Sequence, residues 1–409
     1  MLLYSFFIRL YGGIIWLAGL FNRKANKWVS GRVGQLPKIR QALDANRPLL
    51  WMHCASAGEF EQGRPLLEKL RDSHPQYQLL LSFFSPSGYE LRKNYALAEH
   101  VCYIPLDTAS RANAFVDAIR PRLVVMVKNE FWPHHLRAVQ QRAIPIILIS
   151  ATFRKDQWLF KGYAKPFLRL LKGYQHIFVQ DSQSLSLLKA QGIDACSVVG
   201  DTRIDRVLTI AAQQDERPLI AAFVGQQPVL VAGSTWPADE ALLADLLAEF
   251  PKWKLIVAPH EIDEDHLKKL EQLFSSNSVR YSRMTESSTS RVLIVDNIGM
   301  LASLYRYGDL AYVGGGFGKG IHNLLEPTAH RMAVIFGPRN HKFREASLLI
   351  GCGGGFSIKD ATSLKAIFRR LQSKEDRLQA GEKAYRLLAQ NAGASEKIHR
   401  HLQNLLDQP

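Results

Sequence analysis

Short unbroken apolar runs alternate with stretches of helical spacing along most of this chain. The segments "PLLWMHC" (48–54), "YQLLLSFF" (77–84), "HVCYIPLD" (100–107), "LVVMVK" (123–128), "IPIILIS" (144–150) and "HIFVQD" (176–181) read as strands. Between the first of them lie helical patterns, "FEQGRPLLEKLRDS" and, from a Ser/Pro/Gly turn, "SPSGYELRKNYA". Val/Ile/Leu runs without alternation mark strands buried on both faces, and strand–helix alternation predicts parallel sheets with right-handed crossovers. The pattern breaks at 200–228, a polar stretch without a strong strand, which places a domain junction there. A second series follows. "VLVAGS", "WKLIVAPH", "RVLIVDN", "LAYVGGG" and "MAVIFGP" read as strands. "PADEALLADLLAEF", "DEDHLKKLEQLF", "MLASLYRYG" and "HNLLEPTAH" read as helices, and the tail from about 375 is helical. The expectation is two Rossmann-like α/β halves with a cleft between them and ligands outside the carboxyl ends of the strands.

The N-terminus departs from this pattern. "MLLYSFFIRLYGGIIWLAGLF" is apolar except for Arg9, and Arg23, Lys24, Lys27 and Arg32 follow it. It has neither the leading basic residues nor the cleavage site of a signal peptide. It is expected to be an uncleaved membrane anchor over residues 1–22, spanning the bilayer or lying in its interface, with the following chain on the cytoplasmic side. The net charge of +15 and sequence pI near 9.6 ask for an anionic partner. No nucleic-acid-binding motif accompanies that charge, so nucleic acid is set aside in favour of a membrane surface or a phosphorylated small molecule. Cys54, Cys102, Cys196 and Cys352 form no CxxC pair, as in a reduced protein.

Candidate chemistry collects where predicted strands end. In "VGGGFGKGIHNLLEP" (313–327), Gly315 and Gly316 allow close backbone approach to a ligand and Lys319 adds a positive charge. Asn323 is placed to cap a helix beginning at Leu324, and Glu326 to accept from ribose hydroxyls. "AGSTWPADE" brings Ser234 and Thr235 to a second helix start, with Pro237 near its first position. "CASAGEFEQG" puts Glu59 in a small-residue loop at a helix N-terminus, where an acid repels phosphate but can be held ionised as a base. "VKNEFWPHH" puts Glu130 at the end of an apolar strand between Lys128 and Trp132. Ser85, Ser87, Gly88, Arg154 and Lys155 fall at strand ends on the same predicted side. The histidines, among them His53, His134, His135, His260, His322 and His341, make no metal-binding spacing, and a metal-free reaction without a cofactor is favoured.

In this order, the apolar N-terminus, "ASAGE", "NEFWP", "AGST", "GGGFGKGIHNLLEP" and "GPRNHKF" resemble the 3-deoxy-D-manno-octulosonate (Kdo) transferases of lipid A assembly, over nearly the whole chain. The resemblance implies a GT-B fold, with an acceptor domain at 23–205 and a donor domain at 222–409 whose terminal helices have the option of crossing back. It implies inverting, metal-independent transfer of Kdo from CMP-Kdo to the 6′-hydroxyl of a tetra-acylated lipid A precursor, at the cytoplasmic face of the inner membrane. Glu59 then matches the general base and Glu130 a second, orienting carboxylate. Ser56, Gly58, Ser87, Gly88, Lys128 and Arg154 fall to the acceptor. Ser234, Thr235, His260, Gly315, Gly316, Lys319, Asn323 and Glu326 fall to the nucleotide.

The chain departs from the family pattern in three places. "VAPHEID" keeps His260 but lacks the arginine that often precedes it, Ile321 replaces a glycine, and Lys128 stands where a neutral residue is common. A donor contact is therefore expected to move to Lys319 or Arg339. Two other readings compete: a GT-B enzyme acting on a UDP-sugar, which would lack the "SAGEFEQG" and "NEFWP" pairing, and a non-catalytic membrane-tethered anion binder, which would avoid acids at the strand ends.

Overall fold

Both predicted series of strands assemble as parallel sheets in the computed structural model, which describes residues 1–213, 216–286 and 288–407. The chain divides into two units, Met1–Arg206 with Ala392–Pro409, and Val207–Asn391. In the first unit the strands are β1 Leu49–Cys54, β2 Gln78–Phe83, β3 His100–Tyr103, β4 Leu123–Val127, β5 Ile146–Ala151, β6 His176–Val179 and β7 Cys196–Val198. Among the described residues they lie in the order β3-β2-β1-β4-β5-β6-β7. In the second unit they are β8 Val229–Thr235, β9 Lys254–Pro259, β10 Ser278–Arg280, β11 Val292–Ile294, β12 Leu310–Val313, β13 Val334–Phe336 and β14 Gly355–Ser357. Their order is β10-β11-β9-β8-β12-β13-β14. The direction of strand addition reverses between β1 and β4 in one sheet and between β8 and β12 in the other, and such points are where open α/β sheets bind ligands.

The apolar runs behave as their composition demands. Along β1 and β4, Trp51, Val124 and Met126 enter one core layer, while Leu50, Met52, Leu123 and Val125 enter the opposite one. Each sheet is thus covered on both faces, and the second is flanked in the same way. Helices start where short polar side chains take orphan N–H groups: Asp181 accepts from the Ser184 amide, Asp263 from that of His266 and Ser373 from that of Asp376.

Three differences from the sequence expectation concern the edges. Strands β7, β10 and β14 have three residues each, too short for an apolar run to announce them. The stretch 200–228 forms two helices, Thr202–Ala212 and Pro218–Val224, and the division falls after Arg206, inside the first of them. The terminal segment is interrupted at 391–393, and its last helix, Ala394–Leu406, belongs to the first unit and not to the second. Ala394, Ile398, Leu402 and Leu406 bury against that unit's core. Asp205 accepts from the amides of Gly393 and Ser395, each at 2.6 Å, and Lys69 pairs with Glu396 at 2.9 Å. The second unit therefore ends at Asn391, and the last helix takes the crossing-back option left open for the tail.

The N-terminal helix spans Leu2–Ala18, and no helix among the described residues is long and apolar enough to cross a membrane. One side of the helix is fastened to the first unit. The Tyr4 hydroxyl donates to Asp107 at 2.7 Å, Ser5 meets His134 Nε2 at 2.8 Å, and Tyr11 packs against Trp28 and Phe84. Buried Asp107 also accepts from the His134 and His135 amides and from His135 Nδ1. The other side leaves Leu3, Phe6, Phe7, Leu10, Ile14 and Leu17 exposed.

Candidate active site

At the reversal point of the first sheet, β1 and β4 run side by side with His53 opposite Met126. The chain leaving β1 turns at Ser56 into the helix Ala57–Ser73, whose first turn carries Glu59. The Ser56 hydroxyl makes no cap bond to the backbone and donates to Glu59 Oε2 at 3.0 Å, which fixes the carboxylate. Gly63 explains how close this helix comes to the sheet: a Cβ there would lie 2.9 Å from Met52 Sδ and 3.0 Å from a Val127 methyl. Around Gly58, by contrast, the nearest atom to such a Cβ is 3.9 Å away, so the loop is open beside Glu59.

The chain leaving β4 turns through Lys128, which takes a left-handed conformation (φ 64°). Asn129 is pinned to the end of β5 through the backbone of Thr152. This aims Glu130 back toward β1, where its Oε2 lies 3.9 Å from His53 Nε2. Burial first, and the charge of Glu59 second, push the Glu130 pKa up to about 8. Burial, reinforced by His135, pushes His53 down to about 3, so its ring is neutral. Its Nδ1 meets the Ser82 hydroxyl at 2.9 Å, which in turn accepts from Trp51 Nε1 at 2.7 Å. At neutral pH Glu130 thus holds a proton, within the electrostatic reach of Glu59.

The other residues expected to line this side divide. Ser87 and Gly88 open the short helix Pro86–Arg92 at the end of β2. The Gly88 position packs tightly, since a Cβ would sit 2.5 Å from the Phe83 ring and 3.1 Å from the Ala57 nitrogen. The Ser87 hydroxyl lies 3.0 Å from that of Ser85. Arg154 follows β5, one strand further out, and pairs with Asp156 at 3.6 Å with both side chains largely exposed.

The second unit repeats the geometry. The ends of β8 and β12 touch through their backbones: a Cβ at Gly314 would lie 2.5 Å from the Ser234 carbonyl oxygen, and Ser234 itself is left-handed (φ 52°). Gly315 is also left-handed (φ 89°), and Gly316 packs on Gly337, 2.5 Å from its would-be Cβ. What holds this loop is Asp239, in the first turn of the helix Pro237–Glu249. Its fully buried carboxylate accepts from the Trp236 amide at 3.0 Å, the Gly315 amide at 2.9 Å and the Tyr312 hydroxyl at 2.8 Å. The first-turn acid was visible in "PADE"; its reach to a loop 76 residues away was not.

Thr235 differs from expectation. Its hydroxyl is buried and donates to Glu240 at 2.9 Å, a carboxylate that also meets His266, so it serves the scaffold. Asn323 does not cap a helix beginning at Leu324: the helix is only five residues long, Leu325–Ala329, its N-cap is Leu324, and Asn323 stands one residue before that. The Asn323 side-chain carbonyl accepts from the Leu325 amide at 3.1 Å, and its amide donates to Glu326 at 2.9 Å. His260 stacks on Trp236 (centroids 4.8 Å apart) and on His322 (4.4 Å). The Trp236 indole donates to His322 Nε2 at 3.2 Å, and burial, with His260 beside it, lowers the His322 pKa to about 4. Trp236 and His322 thus form a neutral aromatic wall that the spacing of the histidines did not reveal. Lys319 stands exposed on the glycine loop, and Arg339 braces that loop through the Gly318 carbonyl. Among the described residues no group of three His, Cys, Asp or Glu side chains is placed to hold a metal ion.

A family model described as 3-deoxy-D-manno-octulosonic-acid transferase matches residues 28–206, the stretch that carries Glu59 and Glu130. A 3-deoxy-D-manno-octulosonic acid transferase of Haemophilus influenzae is 26% identical over 366 residues, covering 85% of each chain. A bifunctional glycosyltransferase/methyltransferase of Fusobacterium nucleatum is 29% identical over 307 residues. That match covers 70% of this chain but 47% of the longer relative, so this chain spans about half of it. A solved UDP-GlcNAc 2-epimerase from Neisseria meningitidis, bound to UDP-GlcNAc, superposes with a TM-score of 0.60 at 14% identity, over 87% of this chain and all of that one. This likeness shows the fold, which is GT-B-like. With the family model on the carboxylate-bearing unit and a curated transferase aligned along most of the length, the chain is similar to the Kdo transferases, a family of glycosyltransferases.

Proposed function

We propose that this enzyme transfers Kdo from CMP-Kdo to the 6′-hydroxyl of a tetra-acylated lipid A precursor in lipopolysaccharide assembly, with inversion and without a metal ion. The observation that carries the reading is the carboxyl pair at the reversal point of the first sheet: Glu59, fixed by Ser56, and Glu130, buried with a raised pKa. Inverting transfer needs a base on the attacking hydroxyl, and Glu59 opens onto the loop left free around Gly58. Glu130 keeps its proton at neutral pH and donates a hydrogen bond to the acceptor, so one carboxylate takes the proton while the other orients. Ser56, Gly58, Ser87 and Lys128 border the same end of the sheet, and Lys128 supplies charge for a phosphorylated acceptor.

On the donor side, Asp239 holds the glycine loop in place, and the loop carries Lys319 to the solvent. Together with Ser234, the loop and Lys319 would receive the CMP phosphate, where negative charge grows as the bond to Kdo breaks. The His260 and Trp236 rings offer a stacking wall for the base, and Glu326, oriented by Asn323, accepts from ribose. The exposed apolar side of the N-terminal helix, with Arg23, Lys24 and Lys27 beyond it, suits a helix lying in the interface of the inner membrane at its cytoplasmic face. Glu59→Gln tests the central assignment: CMP-Kdo binding is retained and turnover falls by about 10²–10⁴-fold. A variant with near wild-type turnover removes Glu59 from the mechanism.

A further inference from the structure

Beside the N-terminal helix lies a cavity of about 890 Å³ that none of the candidate site residues lines. Arg9, Arg32 and Arg111 line it, and no Asp or Glu does. Arg32 is the telling one. It is partly buried, held by the carbonyls of Trp28 (2.8 Å), Phe84 (2.8 Å) and Ile104 (3.0 Å), and it stacks on the Trp28 ring at 3.8 Å. Burial draws its pKa down to about 9, and among the described residues no carboxylate pairs with it. An unpaired buried cation is costly, so such a site favours an anion.

Three further features point the same way. The helix Ala109–Ile119 begins at this cavity with Thr108, Ser110 and Arg111, without an acid in its first turn and without a side-chain cap. Its orphan N–H groups suit a phosphate. Trp28 Nε1 is buried without a hydrogen-bond partner, and so is Gln35 Oε1; both residues line the cavity and are more than nine-tenths buried. The N-terminal helix contributes Arg9, Gly12, Gly13 and Trp16 to the lining, at i, i+3, i+4 and i+7, which is one stripe. At 100° per residue, the exposed apolar stripe Leu3, Phe7, Leu10, Ile14 and Leu17 lies directly beside it.

We propose that this cavity receives the phosphate-bearing headgroup of a membrane lipid, whose acyl chains run out along the neighbouring apolar stripe. The proposal rests on the reading that this helix lies at the membrane surface, and the test separates the two. Sedimentation with phosphatidylglycerol vesicles is compared with phosphatidylcholine vesicles for the wild type, Arg111→Glu, Arg23→Glu as a basic control outside the cavity, and Leu10→Glu/Ile14→Glu. The wild type prefers phosphatidylglycerol. Arg111→Glu loses about tenfold or more of that affinity, since each basic side chain near the surface contributes on the order of 1 kcal/mol and reversal counts roughly twice. Arg23→Glu loses clearly less, and the double variant leaves both vesicle types. Glycerol phosphate in solution, but not inorganic phosphate at the same concentration, perturbs tryptophan fluorescence in the wild type and not in Arg111→Glu. Equal losses for Arg111→Glu and Arg23→Glu would mean diffuse surface charge and overturn the cavity. Unchanged binding by Arg111→Glu, or an equal response to inorganic phosphate, does the same while leaving the membrane reading intact. No binding of the wild type to either vesicle overturns both.

Discussion

Glu130→Gln should stabilise this protein, and by an amount that grows with pH. Burial and the charge of Glu59 lift the Glu130 pKa from the usual 4.5 to about 8 in the folded chain. The folded state therefore holds this proton more tightly than the unfolded state. As pH rises past 4.5 the unfolded chain gives up its proton first, and the folded state loses stability progressively until pH reaches about 8, after which the loss is constant. Each tenfold of proton affinity is worth about 1.4 kcal/mol. The cost is thus close to zero at pH 4, about 3 kcal/mol at pH 7 and about 5 kcal/mol above pH 8. Gln has nearly the same shape and cannot ionise, so the variant escapes that cost. Urea unfolding of wild type and variant, followed by tryptophan fluorescence at pH 4.5, 7 and 8.5, measures it. A stability difference that stays flat across this range, or a variant that becomes the less stable as pH rises, refutes the argument that Glu130 is buried within reach of a second acid. A stable but compromised variant is the trade expected of a group kept for function.

The same proton governs turnover: kcat/KM of the wild type declines as pH rises through about 8, where Glu130 ionises, and Glu130→Gln lacks that decline in a pH–rate profile. Glu59→Gln, which removes the neighbouring charge, moves the pH edge of Glu130-linked stability downward and leaves nucleotide binding intact, measured by urea unfolding and calorimetric titration. Asp239→Ala abandons three donors at once, so it costs about 2–4 kcal/mol of stability and weakens CMP-Kdo binding. Binding equal to wild type would show that the glycine loop needs no such brace. Phe7→Glu with Leu10→Glu, on the exposed side of the N-terminal helix, releases the protein from lipid vesicles in a flotation assay without changing its melting temperature.

What could be read from the sequence follows the physics of each signal. Strands such as β4 and β5 are unbroken apolar runs buried on both faces, and composition alone marks them. The three-residue edge strands β7, β10 and β14 carry too few side chains for any periodicity. The helix 394–406 is amphipathic in the sequence, but which unit its Ile398 and Leu402 cover depends on partners more than 300 positions away. Glu59 and Glu130 stood out because acids at strand ends in small-residue or aromatic loops break the local pattern. His53 was hidden inside a strand that reads as core, and only the fold brings it to Glu130. Asp239 looked like a cap and is one; a carboxylate has capacity for several donors, and tertiary structure supplied the others. Thr235 looked like a ligand contact because its neighbour Glu240 reads as a first-turn acid rather than as its hydrogen-bond partner.

The most direct measurement is mass spectrometry of the product when the full-length protein is given CMP-Kdo and a tetra-acylated lipid A precursor, with and without EDTA, beside Glu59→Gln. The account predicts a precursor heavier by Kdo in equal yield in both wild-type reactions, and almost none from the variant. A modified product from Glu59→Gln at the wild-type rate, or no Kdo-bearing product from a wild-type protein that binds CMP-Kdo, would contradict it.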